Sequence, residues 1–237
     1  MSFNPADNIQ DLQNFGEFGG VNPSISDSST YTFMAAKTMA DTFEGNTDGC
    51  HLYSRHTTPS NLCLGEALAA MEGTETANVS ASGMGAITPV LLQLCGAGDH
   101  IVSSRTIYGG TYAFLKNFTP RLAIQTSFVD ITNLEIVEAS ITENTKVLYC
   151  ESVSNPLLEV ADIKGLAALA KKHRLTLVVD NTFSPLSISP IQLGADVVVH
   201  SLTKFINGSS DAVGGVVCGS QEFIDQLRSV IDGACML

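Results

Sequence analysis

Two short valine-rich runs, residues 175–179 and 197–199, constrain what this 237-residue chain can fold into more than any other feature. Neither alternates with polar residues, which marks a strand buried on both faces of a parallel sheet. Each run discharges into polar residues at its C-terminal end, the first into Asp180 and the second into Ser201, Thr203 and Lys204. In open α/β sheets ligands sit beyond the carboxyl ends of the strands, so an acid, two hydroxyls and an amine are expected to converge on one crevice. That set suits pyridoxal phosphate. This cofactor needs a lysine for its aldehyde, a carboxylate against its pyridinium nitrogen, and hydroxyl or backbone donors around its phosphate. Ser-x-Thr-Lys by itself is a weak motif, because a lysine after a buried strand is most often a solvated loop residue.

Upstream of these runs the chain alternates strand and helix, the pattern of a mainly parallel sheet covered on both sides. Strands are expected near residues 77–81, 100–103, 123–129, 146–151, 175–179, 197–199 and 213–218. Helices are expected near 61–71, 84–95, 111–117, 133–140, 163–173 and 221–231, with a short helical piece at 33–39. The fold class is therefore a three-layer α/β/α domain. Residues 1–52, rich in Gly, Asn, Ser and Asp, carry little core of their own and read as an arm laid over another surface, such as a second subunit. Residues 53–237 form the expected ligand-binding domain.

A net charge of −12 argues against nucleic acid, whose phosphates call for a basic face. No apolar run reaches membrane-spanning length, and the N-terminal stretch lacks the basic and apolar regions of an export signal, so the cytoplasm is the expected compartment. The six cysteines (Cys50, Cys63, Cys95, Cys150, Cys218 and Cys235) include no C-x-x-C pair, and several lie in apolar runs. Buried reduced thiols are expected, without a zinc site.

Four further places could touch a ligand. The turn Ser82-Gly83-Met84-Gly85 follows a strand and opens a helix, so the N–H groups near Gly83 and Met84 form a phosphate cradle. A nicotinamide-binding unit also begins with strand-Gly-x-Gly-helix. Here, however, Thr88 stands at the third glycine position, and the next strand ends in Ser103-Ser104-Arg105 where a ribose-binding acid would be required. Tyr108, after the second strand, could stack on a pyridine ring or could be ordinary packing. Asn155 leaves the fourth strand before Pro156, where it could donate to a cofactor oxygen or form a simple turn. Tyr53 and Arg55 precede the helix opened by Thr58-Pro59-Ser60, and Arg is the side chain that grips phosphate with two parallel bonds.

Taken in order, GGVNPSISDSSTYTF, YSRHTTPS, ASGMGAI, YGGT, ESVSNP, VVDNTF and HSLTKFINGSSDAVGG resemble the Cys/Met-metabolism family of pyridoxal-phosphate enzymes. That family includes cystathionine γ-synthase, cystathionine lyases, methionine γ-lyase and O-acylhomoserine sulfhydrylases. The resemblance implies a fold type I large domain and an enzyme of sulfur amino-acid metabolism performing β- or γ-elimination or γ-replacement. It implies that Lys204 carries the cofactor, Asp180 pairs with the ring nitrogen and Tyr108 stacks on the ring. Asn155 would contact the phenolic oxygen, while Gly83, Met84, Ser201 and Thr203 hold the phosphate. Tyr53 and Arg55 would reach the phosphate of a neighbouring subunit, giving a homodimer or homotetramer with shared active sites. Thr58 stands where the family usually has Asn, Ser209 where it often has His, and Gly110 where methionine γ-lyases often have Cys. The family continues past the position of Leu237 into a small C-terminal domain carrying the arginine for the substrate carboxylate. The chain is thus expected to be a fragment or a truncated product, and a non-catalytic cofactor-binding or dimerising piece is the alternative.

Overall fold

The computed structural model describes residues 3–12, 16–45 and 49–234. Seven strands form one sheet: β1 (Thr76–Ser80), β2 (His100–Ser104), β3 (Gln125–Val129), β4 (Thr145–Glu151), β5 (Thr176–Asp180), β6 (Val197–Ser201) and β7 (Gly215–Gly219). Their order across the sheet is β1-β7-β6-β5-β4-β2-β3. The pairs β6–β5, β5–β4, β4–β2 and β2–β3 are parallel, and β7 runs antiparallel to both its neighbours. The expected mainly parallel sheet is therefore present, with every expected strand in it.

Eight helices are described: α1 (Pro5–Asp11), α2 (Ala36–Phe43), α3 (Pro59–Glu72), α4 (Gly83–Leu94), α5 (Gly109–Ala113), α6 (Leu134–Ala139), α7 (Ile163–His173) and α8 (Gln221–Ala234). Alternation along the central strands sends side chains to opposite faces. Leu148 and Cys150 of β4, with Leu177 and Val179 of β5, pack beneath Leu68 of α3 and Leu166 of α7. Val147 and Tyr149, with Val178, pack beneath Val90 and Leu91 of α4 and Leu227 of α8. Both faces are thus covered, which is why β5 reads as an unbroken apolar run.

Local chemistry sets the helix starts. Thr58 caps α3, its hydroxyl accepting the Asn61 N–H at 3.1 Å, with Pro59 at the first helical position. The residue that departs from the family pattern is therefore a helix cap worth ~1 kcal/mol. Ser82 caps α4 in the same way through the Gly85 N–H at 2.9 Å. The helix expected at 111–117 divides into α5 and a π-helical turn, Phe114–Phe118, and the one expected at 33–39 lies later, at Ala36–Phe43.

The N-terminal segment is more attached to its own chain than its composition suggests. α1 packs on α3, and Asn8 donates from its side-chain amide to the Ala70 carbonyl at 3.2 Å. Ser54 N–H donates to Ser29 O at 2.9 Å and Ser26 N–H to Ser60 Oγ at 2.8 Å. Between these ties Phe18, Val21, Ile25 and Met34 remain largely exposed. Cys95, Cys150 and Cys218 are buried free thiols, Cys50 and Cys63 are half-buried free thiols, and Cys235 lies outside the described residues. Burial pushes the Cys95 and Cys150 thiols up to about 12, so they stay protonated and inert. No helix among the described residues is long and apolar enough to cross a membrane.

Candidate active site

The C-terminal ends of β4, β5 and β6 and the start of α4 meet at one end of the sheet, around a cleft of about 540 Å³. Gly83, Met84, Tyr108, Asn155, Asp180, Ser201, Thr203 and Lys204 all line it. Eight of the ten residues singled out from the sequence are thereby brought together from five separate segments. Tyr53 and Arg55 are not among them. They line a different cleft of about 690 Å³, beside α3, β1 and α8, where the Arg55 guanidinium lies 5.7 Å from the Tyr53 ring centre.

Asp180 ends β5 and is only 6 % exposed. Its Oδ1 accepts the Thr182 N–H at 2.9 Å, while Oδ2 has a Tyr149 hydroxyl at 3.5 Å, too long for a strong bond. No lysine or arginine pairs with it among the described residues. Burial, the largest influence, pushes its carboxyl above the ordinary value of 3.8, against the bonds from Thr182 and the charge of His200, which lower it. A buried carboxylate in this state gains from a cationic partner arriving in the cleft.

Behind Asp180 lies a sealed polar cluster. His200 Nε2 and Glu72 Oε1 are 2.7 Å apart with both side chains fully buried, and Asn181 donates to Glu72 Oε1 at 3.1 Å and to Ile188 O at 2.8 Å. These bonds join the end of α3 to the residues just after Asp180 and just before Ser201, so the two strand ends are held from beneath.

The turn after β6 is built for close approach. Ser201 N–H donates to the Thr182 hydroxyl at 2.7 Å, and Lys204 N–H donates to Ser201 O at 3.2 Å. A Cβ on Gly83 would lie 2.7 Å from Ser201 Cβ, so only glycine lets the start of α4 come this near. The first amides of α4 are donors that a helix leaves open. The Thr203 hydroxyl is already engaged, donating to Gly214 O at 3.2 Å and accepting the Gly214 N–H at 3.1 Å. Lys204 is exposed to the cleft and has no ion-pair partner among the described residues.

Tyr108 precedes α5 and is 47 % exposed. A Cβ on Gly110 would lie 2.5 Å from Tyr108 Cε1 and 3.2 Å from Met84 Sδ, so the tyrosine ring leans over Gly110 on the side of the Met84 turn. A cysteine here would require that ring to move.

Sequence reasoning passed over Glu151, Thr182 and the pair Phe183–Phe205. Glu151 lines the cleft and is 7 % exposed. It carries the signal that singled out Asp180, an acid ending a buried strand. Phe183 and Phe205 meet at the cleft with ring centres 4.9 Å apart.

A buried carboxylate and an exposed amine, neither with an ion-pair partner among the described residues, and a glycine-lined helix start, all in one cleft, fit a phosphorylated cationic ring that bears an aldehyde. That donor set suits pyridoxal phosphate, the cofactor that fold type I enzymes hold at their strand ends. Residues 7–235 match the Cys/Met metabolism PLP-dependent enzyme family, and the chain belongs to it. It is 48 % identical to methionine gamma-lyase of Arabidopsis thaliana over 98 % of this chain and 54 % of that protein. It is 41 % identical to O-succinylhomoserine sulfhydrylase of Pseudomonas aeruginosa over 86 % of this chain and 50 % of that protein. A crystal structure described as an O-acetylhomoserine (thiol)-lyase of Campylobacter jejuni superposes with a TM-score of 0.87 and 32 % identity, covering 95 % of this chain and 56 % of that one. It contains an N′-pyridoxyl-lysine-5′-monophosphate residue. The chain spans about half the length of the curated relatives it matches.

Proposed function

We propose that this chain is the cofactor-binding part of an enzyme that breaks or exchanges the side-chain carbon–heteroatom bond of a sulfur amino acid or an O-acylhomoserine. The convergence of Lys204, Asp180 and the Gly83 turn on one cleft carries the reading, and the family membership supports it. Bound pyridoxal phosphate supplies an electron sink joined to the substrate's amino group. Asp180 holds a proton on the ring nitrogen, which keeps that sink effective. Tyr108 would cover one ring face, and Asn155 would donate to the phenolic oxygen. The amides of Gly83 and Met84 and the Ser201 hydroxyl would hold the phosphate. Thr203, its hydroxyl spent on Gly214, contributes by holding the turn that aims Lys204. The Lys204 amine takes the proton from the substrate's Cα and returns protons farther along the side chain. Loss of a thiol or acyloxy group is elimination; addition of another thiol makes it replacement.

Among these outcomes γ-elimination of methionine stands first, because the chain is 48 % identical to the methionine gamma-lyase of Arabidopsis thaliana over 98 % of its length. The full-length protein, assayed on methionine, cystathionine and O-acetylhomoserine with and without added thiol, should release 2-oxobutanoate from methionine fastest. Thioether formation dominating in the presence of thiol would move the assignment to a γ-replacement enzyme. No 2-oxo acid or thioether from any of the three would overturn the reading. The cytoplasm is the compartment in which such metabolism fits.

We further propose that the site is completed by a second copy. Tyr53 and Arg55 line the cleft beside β1 and α8 and not the one holding Lys204, which supports a role at a partner's phosphate and not at their own chain's. In full-length protein, Arg55→Ala and Lys204→Ala homo-oligomers should each be nearly inactive. Their mixed oligomers should regain one working site per pair, formed by Lys204 of one chain and Arg55 of the other. Proven mixed oligomers without recovered activity would show that Arg55 does not act across subunits.

A further inference from the structure

The Glu151 carboxylate spans two separate stretches of chain that flank the cleft. Its Oε1 accepts the Tyr108 N–H at 2.6 Å, and its Oε2 accepts the Asn155 N–H at 2.9 Å. Tyr108 belongs to the connection between β2 and α5, and Asn155 to the segment leaving β4. Both oxygens are therefore committed, each to the backbone of a residue that lines the cleft. Near Tyr108 the loop's other ties are to its own neighbours, Thr106 N–H to Ser104 Oγ at 3.2 Å and Tyr112 N–H to Tyr108 O at 2.9 Å, whereas Glu151 links it to the Asn155 segment. Tyr108 makes no side-chain cap to α5, its ring is half exposed, and Gly109 and Gly110 follow it.

We propose that Glu151 is a positioning residue for the cofactor: its ionised carboxylate clamps the Tyr108 loop to the Asn155 turn, and the clamp loosens when the carboxylate takes up a proton. The inference rests on the reading of this cleft as a pyridoxal-phosphate site and adds to it a residue and a pH dependence. An ionised carboxylate accepts two N–H bonds on equal terms. A protonated one turns an oxygen into a hydroxyl, a poor acceptor for an amide donor that cannot turn away.

The surroundings place this change near neutrality. From β5, Asp180 lies opposite Glu151 as its strand partner. From its own strand come Tyr149 and Cys150, from the β2–α5 loop Tyr108, and from the turn after β6 Lys204, which lines the same cleft. Burial first, and the Asp180 charge second, push Glu151 up to about 7, against the two backbone bonds that lower it. Its clamp therefore forms as pH rises through about 7 and is lost as pH falls through that value.

Pyridoxal-phosphate titrations of cofactor-free full-length protein between pH 5.5 and 8.5, followed by absorbance, test the proposal. Glu151→Gln keeps the shape and one acceptor but points an NH₂ donor at one of the amides. It should bind about tenfold more weakly at pH 8, the equivalent of ~1.4 kcal/mol, and should lack the wild-type fall in affinity toward pH 6. The difference between the two profiles is the readout, since the cofactor's own titrations are common to both. Faster hydrogen exchange at the Tyr108 and Asn155 amides should accompany it. Glu151→Asp keeps the charge but is one methylene too short to reach both amides, so it should bind weakly and retain a pH inflection; it decides the matter if the Gln variant does not fold. A Gln variant that follows wild type at every pH overturns the clamp, and so does one that binds weakly yet keeps the wild-type inflection. Failure of the wild type to take up pyridoxal phosphate would instead overturn the reading of the cleft, and the clamp with it.

Discussion

Lys204→Ala is expected to abolish covalent fixation of pyridoxal phosphate by borohydride and to reduce turnover by at least ~10²- to 10⁴-fold, the range lost with a positioned proton-transfer group. The geometry makes this an all-or-none test. Lys204 is the lysine lining the cleft, and it leaves a turn held at both ends, by its own N–H to Ser201 O at 3.2 Å and by Gly208 N–H to its carbonyl at 2.8 Å. Neither bond involves the side chain, and no carboxylate pairs with its amine among the described residues. Truncation should therefore leave folding stability within the ±0.5 kcal/mol usual for exposed positions. Peptide mass mapping after reduction reads the outcome directly. Label persisting on another lysine would refute the assignment. Lys37 is such a lysine, tied to Asp41 at 2.6 Å on the N-terminal segment, and Lys116, in the π-helical turn, is another.

Much of the site could be read from the sequence because its parts sit where strands end. Asp180 closes the apolar run Leu177–Val179, and Ser201 follows Val197–Val199 with only His200 between; burial on both faces leaves such runs few interpretations. Ser82 announces α4 by capping it, and Gly83 is required by the approach of Ser201. Glu151 shows what a linear reading misses. It also closes a buried strand, yet its role appears only when β4 and β5 come into register and the Tyr108 loop folds back from β2. Thr203 fails to be legible for a similar reason. Its hydroxyl meets Gly214 only because β7 returns antiparallel beside β6, a pairing that no local pattern encodes. The N-terminal segment reads from its polar composition as an arm laid over another surface, and the part of it that Pro5 and the Asn4 cap start as a helix packs on α3 of its own chain. A helix of only seven residues carries too little periodicity to announce itself.

Asp180→Asn should move stability and cofactor binding in opposite directions, which separates a functional carboxylate from a structural one. In the unfolded chain the group loses its proton near its ordinary value of 3.8, whereas burial holds the proton to a higher pH in the folded, cofactor-free protein. Between those two values the folded state binds more protons than the unfolded one, so stability falls as pH rises through the window and stays lower above it. Asparagine carries no charge to bury, and its carbonyl can still accept the Thr182 N–H. Cofactor-free Asp180→Asn should therefore melt above the wild type at pH 8, with the difference vanishing at pH values below 3.8. With cofactor the order reverses. Loss of a charge-assisted bond to the ring nitrogen is worth ~1.5 to 3 kcal/mol, which corresponds to roughly 10- to 150-fold weaker pyridoxal-phosphate binding. Exchange of the substrate's α-proton should fall by at least as much, since a neutral amide cannot hold the ring nitrogen protonated. Asp180→Glu keeps the charge and should retain part of both. Melting curves at pH 8 and pH 3.5 with a cofactor titration at pH 8 test the pair of effects together. If the cofactor-free Asn variant melts below the wild type at pH 8, the Asp180 charge stabilises the fold itself; if its exchange rate equals the wild type's, the carboxylate has no part in the chemistry.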